Sequence, residues 1–324
     1  MAVPERARLA SRVALVTGAG GGLGRAYALA LARCGARVVV NDFGPAMDGS
    51  GCDAGLAERV VAEIRQEGGE AVANAGDVGC WAGAEAMVAQ TIAAFGALDI
   101  LINNAGILRP RTIVGMQERD IADVLRVHLF GTLATSHFAA LHWRDRARDT
   151  GPTGARLINT TSASGLFSAG QANYDAAKAG IAAMTGVAAN ELARYGVTAN
   201  AIAPMALSRM SSGILPERFT PAHASELVCW LASAAAQGVT GRVFNVGGGH
   251  IGVVDRWHTG QSLNRDGLWQ MHELDSAIPA LLDGAAPHPD LMGYYPDEIR
   301  PAELPELQLP RGDRQLPLQP GDTV

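Results

Sequence analysis

The chain has 324 residues, 48% of them hydrophobic and 18% charged, with a formal net charge of −6. That is apolar material for one large core or two small ones, and the acidic balance argues against nucleic-acid binding, which calls for a basic surplus. No segment joins a basic head, an apolar run and a cleavage site, and the apolar runs are too interrupted by Gly and Arg to span a bilayer, so a cytoplasmic protein with no membrane partner is expected.

In chain order, short β-rich runs alternate with helical segments. Strands are expected at 12–18, 36–42, 70–78, 98–106, 155–162, 197–204 and 242–249. Between them, alanine-rich stretches such as 54–67, 81–95, 118–142 and 173–195 show helical spacing of apolar residues. Continuous apolar strands separated by helices predict an α/β fold: one doubly wound, seven-stranded parallel sheet covered on both faces. The polar run 143–154 reads as a surface loop or frayed helix end. After Gly249 the character changes, and half of the sixteen prolines fall in Asp283–Val324. Residues 1–250 are therefore read as one folded domain. Residues 251–324 are read as an extension that packs on it or stays partly mobile.

The run "TGAGGGLG" (17–24) lies between the first strand and the first helix. Gly18, Gly22 and Gly24 let backbone approach a pyrophosphate, and the helix starting near Leu23 offers free N–H groups and its positive dipole end. The second strand ends at Asp42, where a carboxylate accepts from ribose hydroxyls and repels a 2′-phosphate; the expected cofactor is NAD. Asp77 and Val78 end the third strand, where a side chain can meet the adenine ring. "NNAG" (103–106) ends the fourth: Asn104 can tie neighbouring strands, and small Ala105 and Gly106 leave room for the cofactor.

"YDAAK" places Tyr174 and Lys178 four residues apart, on one helical face, after the fifth strand. Ser162 ends that strand. A free phenol titrates at about 10, and a cation about 4 Å away at an effective dielectric of ~20 contributes at most ~4 kcal/mol, enough to bring it near 7. A phenol so tuned is a general acid–base, with Ser162 holding the substrate oxygen and Lys178 reaching the nicotinamide ribose. The histidines show no metal-ligand spacing, and the four cysteines (Cys34, Cys52, Cys80, Cys229) form no C-x-x-C pair; no metal is expected, and the thiols read as reduced.

The ordered set "TGAGGGLG", "NNAG", Ser162, "YDAAK" and "NAIAP" (200–204) resembles the short-chain dehydrogenase/reductase family over about residues 10–250. The resemblance implies a Rossmann-type sheet, an NAD(P) cofactor, catalytic roles for Ser162, Tyr174 and Lys178, and Pro204 with the following loop beside the nicotinamide. It also implies a homodimer or homotetramer built through the 118–142 and 173–195 helices. A narrower resemblance, to the (3R)-hydroxyacyl-CoA dehydrogenase part of the peroxisomal multifunctional enzyme type 2 and its bacterial relatives, is carried by "VVVNDFG", "RVHLFGT", "TSASGLFSAGQANYDAAK", "IAPMALSRM" and "FNVGGGHIGVVDRW". Two departures from the family pattern stand out. His128 occupies the place of a catalytic Asn, either as a buried imidazole satisfied by backbone or as part of the proton relay. The Ser162–Tyr174 interval is one residue short, which leaves Ser164 as a competitor. The function expected is oxidation of a secondary alcohol, the substrate being a 3-hydroxyacyl-CoA or a hydroxysteroid or other hydrophobic alcohol. Alternatives are a dinucleotide-binding sensor without turnover and an NADPH-dependent ketoreductase.

Overall fold

Aliphatic runs form the centre of the molecule in the computed structural model, which describes residues 8–44, 46, 49–53, 55–162, 170–207, 215–255 and 262–283. Seven strands run parallel: β1 (Val13–Val16), β2 (Arg37–Asn41), β3 (Ala71–Asn74), β4 (Ile100–Asn103), β5 (Arg156–Thr160), β6 (Thr198–Pro204) and β7 (Val243–Gly247). Their spatial order is β3-β2-β1-β4-β5-β6-β7. The order reverses between β1 and β4, and in such sheets the crevice for a ligand opens there, at the carboxyl ends of the strands.

The strands are apolar on both faces because both faces are covered. Ala14 and Val16 of β1, Val38 and Val40 of β2, and Ile100 and Ile102 of β4 pack into one core, together with Tyr27 and Leu31. The intervening Leu15, Val39 and Leu101 point into a second core with Met87, Trp143 and Leu157. This is the two-residue period of a pleated strand filling both sides. Each such buried side chain contributes roughly 1.5–3 kcal/mol of transfer free energy.

The first core lies under α1 (Gly22–Arg33), α2 (Gly55–Gln66) and α7 (Ala222–Ala232). The second lies under α3 (Trp81–Phe95), α5 (Gly131–Thr150) and α6 (Ala172–Leu192). Helix α4 (Glu118–Leu125) leads into α5 through a π-helical turn, Arg126–Phe130.

One expectation needs correction. The sheet has eight strands, not seven: β8 (His250–Val254) turns back antiparallel to β7 at the edge, with Val243 opposite Val254. The "GGG" that closes the seventh strand also makes the hairpin, since Gly248 and Gly249 take φ of 57° and 86°, which suits a tight reversal. Of the two readings of the polar run 143–154, loop or helix end, the structure has the helix end: α5 continues to Thr150. Trp143 is fully buried there and donates Nε1–H to the Leu98 carbonyl at 2.7 Å, while Arg146, three residues on, meets Asp99 Oδ1 at 2.8 Å. Those two residues turn inward and fix the turn, whereas the surrounding charges face water.

Beyond β8, helix α8 (Met271–Asp283) buries no residue among those described. No helix among the described residues is long and apolar enough to cross a membrane.

Candidate active site

The glycine run after β1 is held by the loop after β4. A Cβ on Gly18, which has φ of 63°, would stand 2.6 Å from Ala105 Cα, so only glycine fits. Asn104 Nδ2 donates to the carbonyls of Thr17 at 3.1 Å and Gly18 at 3.0 Å. The buried Thr17 hydroxyl accepts from the N–H groups of Asn104 and Ala105. Gly22 opens α1, Leu23 packs against the first core, and a Cβ on Gly24 would collide with the Gly18 carbonyl. At the end of β2, Asp42 Oδ2 accepts from Gly20 N–H and Oδ1 from Gly44 N–H, both at 2.7 Å. Nothing lies within 4 Å of a Cβ on Gly21. A closely packed glycine turn at a helix N-terminus, with open space at Gly21 and a carboxylate tied to the turn, fits a dinucleotide's phosphates and ribose.

The next strand ends bring the reactive groups together. Ser162 follows β5, and its hydroxyl hydrogen-bonds to the Tyr174 phenol. Lys178 is 3% exposed; its ammonium donates to the Thr160 carbonyl at 2.7 Å and lies 5.5 Å from the centre of the Tyr174 ring. Thr161 Oγ1 donates to the Lys178 carbonyl at 2.8 Å, which fastens α6 to the end of β5. Ser164 and the loop after Leu207, up to 214, lie outside the described residues; Pro204 ends β6 beside Val246 of β7.

The electrostatics differ from the sequence expectation. Burial pushes the Tyr174 phenol up to about 12; the Ser162 hydrogen bond opposes that rise and Asp175 adds to it. Burial also brings the Lys178 ammonium down to about 7. Lys178 therefore does not pull the phenol to neutrality by direct contact. Its charge is spent on the Thr160 carbonyl, and desolvation governs both groups.

His128 sits in the π-helical turn, 1% exposed, with its ring edge-on to Tyr174 at 5.2 Å between centres and 88°. Its Nε2 lies 2.8 Å from the Ile107 carbonyl and 3.1 Å from the Ile107 nitrogen. Nε2 thus faces both backbone groups of Ile107, and Nδ1 has no partner among the described residues. Burial, and next the Lys178 charge, hold the imidazole down at about 3, so it is neutral at ordinary pH. A Cβ on Gly106 would clash with Cε1 of this ring, so the last glycine of "NNAG" makes room for His128.

Several supporting residues are not singled out by the sequence. Asn103 Nδ2 donates to Asn159 Oδ1 and Ser136 Oγ, both at 3.0 Å, while its Oδ1 accepts from Thr135. Asn159 Nδ2 in turn donates to Thr185 of α6 at 2.9 Å. Asn173, buried beside Tyr174, donates to the Asp120 carbonyl at 2.7 Å and the Arg109 carbonyl at 3.1 Å. The available signal is an amide next to the tyrosine and amides at two adjacent strand ends. The partners lie tens of residues away. Asp77 and Val78 are found on the loop after β3, beyond the strand's end at Asn74, where Asp77 Oδ2 accepts from Arg126 at 2.7 Å. Among the described residues no group of three or more His, Cys, Asp or Glu side chains is placed to hold a metal.

The short chain dehydrogenase family pattern matches residues 12–214. Hydroxyacyl-CoA dehydrogenase ChsB1 of Mycobacterium tuberculosis is 42% identical over 293 residues, covering 86% of this chain and 91% of that protein. The peroxisomal multifunctional enzyme type 2 of Mus musculus is 42% identical over 255 residues, 77% of this chain but 33% of the longer mouse protein. A crystal structure of a short chain dehydrogenase from Mycobacterium avium superposes with a TM-score of 0.80 at 47% identity, covering 86% of this chain and 97% of that one. The chain belongs to the short chain dehydrogenase family, oxidoreductases that act on CH–OH groups.

Proposed function

We propose that the protein is an NAD-dependent dehydrogenase that oxidises the secondary alcohol of a 3-hydroxyacyl-CoA to the ketone, with Tyr174 as acid–base. The observation that carries this reading is the Ser162–Tyr174 hydrogen bond with the buried Lys178 ammonium beside it, at the strand ends next to the glycine turn. The substrate class follows the names of relatives such as the Mycobacterium tuberculosis protein.

Gly18, Gly22, Leu23 and Gly24 would hold the pyrophosphate, Asp42 the adenosine ribose, Asp77 and Val78 the adenine, and Asn104, Ala105, Gly106 and Pro204 would border the nicotinamide. Bound NAD+ supplies the hydride acceptor and a positive charge that favours the phenolate. Ser162 holds the substrate oxygen, and Tyr174 removes the hydroxyl proton as the carbon–oxygen double bond forms. Lys178, titrating near neutrality, passes protons at the inner end of the site and binds the nicotinamide ribose. His128 is too weak a base to carry a proton at neutral pH. It positions the Tyr174 ring edge and the Ile107 backbone instead.

The test is absorbance of the reduced nicotinamide with NAD or NADP and a panel of 3-hydroxyacyl-CoA thioesters, hydroxysteroids and other hydrophobic alcohols. Turnover of the thioesters with NAD is expected. NADP preference with reduction of ketones would point to a ketoreductase, and tight NAD binding without turnover to a sensor.

Self-association through α4, α5 and α6 belongs to the same reading. Ala122, Leu125, Leu129, Phe130 and Leu133 line an apolar surface groove of about 520 Å³ on that side.

A further inference from the structure

Asp77 is held in a way that the chemistry at Tyr174 does not require. Its Oδ1 accepts from Gly79 N–H at 2.8 Å, and its Oδ2 accepts from Arg126 Nη1 at 2.7 Å. Arg126 lies directly across Gly79: a Cβ there would stand 3.0 Å from both Cγ and Cζ of the arginine. The glycine is needed so that the guanidinium can reach the carboxylate. Val78, between them, packs on Gly131, whose Cβ would stand 3.0 Å from Val78 Cγ2. The loop 77–79 is thus clamped from one side by the turn that joins α4 to α5. Arg126 opens that turn, and His128 of the same turn abuts Tyr174.

An ion pair whose side chains are 43% and 28% exposed adds little to global stability, because solvent screens it. Its effect is local, on the shape and charge of the loop. We propose that Arg126 is a positioning residue for the adenine half of the cofactor: it fixes the Asp77–Gly79 loop against which the adenine ring rests. The proposal builds on the NAD reading and adds a residue that touches neither the substrate nor the reacting atoms.

The test compares wild type with Arg126→Leu and Arg126→Lys, measuring kcat, KM for NAD, and inhibition constants for AMP and nicotinamide mononucleotide, which probe the two halves separately. For Arg126→Leu, KM for NAD and the AMP constant should both rise about fivefold to tenfold, since a preorganised loop is lost. The kcat at saturating NAD and the mononucleotide constant should stay within about twofold, and Arg126→Lys, which keeps a point charge, should recover part of the loss. Raising ionic strength should narrow the gap between wild type and Arg126→Leu, because salt weakens the pair only where it exists. Should Arg126→Leu fail to fold, Arg126→Gln carries the same expectations. An unchanged AMP constant in a folded variant, or equal weakening of AMP and the mononucleotide, overturns the proposal. Absence of NAD and AMP binding in wild type overturns the dehydrogenase reading itself, and this one with it.

Discussion

At the scale of single residues, the proposed chemistry turns on the Tyr174 phenol. Replacing Tyr174 by Phe removes the proposed acid–base oxygen and leaves the ring against His128. Turnover should fall by about 10²–10⁴-fold, with NAD binding retained by fluorescence titration. His128 and Lys178 make the fold itself sensitive to acid. Each titrates lower in the folded chain than in the unfolded one, His128 at about 3 against 6.5 and Lys178 at about 7 against 10.5. In those windows the unfolded chain binds more protons, so stability falls as pH drops, from 10.5 towards 7 through Lys178 and from 6.5 towards 3 through His128. Calorimetry between pH 7 and pH 4 should show the melting temperature of His128→Asn falling less steeply than that of wild type.

At the scale of elements, the start of α6 decides where Tyr174 points. Asn173 ties it to the carbonyls of Asp120 and Arg109, through one buried and one partly buried hydrogen bond. Asn173→Ala should cost about 1–3 kcal/mol in urea unfolding and lower kcat, because two hydrogen bonds that fix the start of α6 are lost. Gly106→Ala presses on the His128 ring, and overpacking of a closed site costs about 1–3 kcal/mol. The variant should melt lower than wild type, and a second substitution, His128→Ala, should relieve part of that loss. These elements also show what the sequence discloses. The Tyr174–Lys178 pair and the glycine turn are legible because their geometry is local, fixed by helical periodicity and one turn. Asn159–Thr185 and Arg126–Asp77 are not, since each depends on a partner distant in the chain; for His128 the sequence offers a backbone-satisfied imidazole or a proton relay, and only its burial against Ile107 favours the first.

At the scale of the whole molecule, the alternation of apolar strands and helices discloses the parallel sheet and its two covered faces. It does not disclose the inward turn of Trp143 within a polar run, or the reversal after Gly247, because both are set by tertiary contacts rather than by periodicity. If the α4–α5 groove is the subunit contact, Leu133→Asp should shift the sedimentation coefficient towards that of a monomer while circular dichroism stays unchanged. The strand that follows that reversal has a directional consequence. β7 climbs to the rim where nicotinamide would be handled, and β8 descends from it. Polypeptide departing after Val254 therefore emerges at the sheet's floor, so a reporter spliced directly onto that point would be carried away from the rim that holds the proposed site.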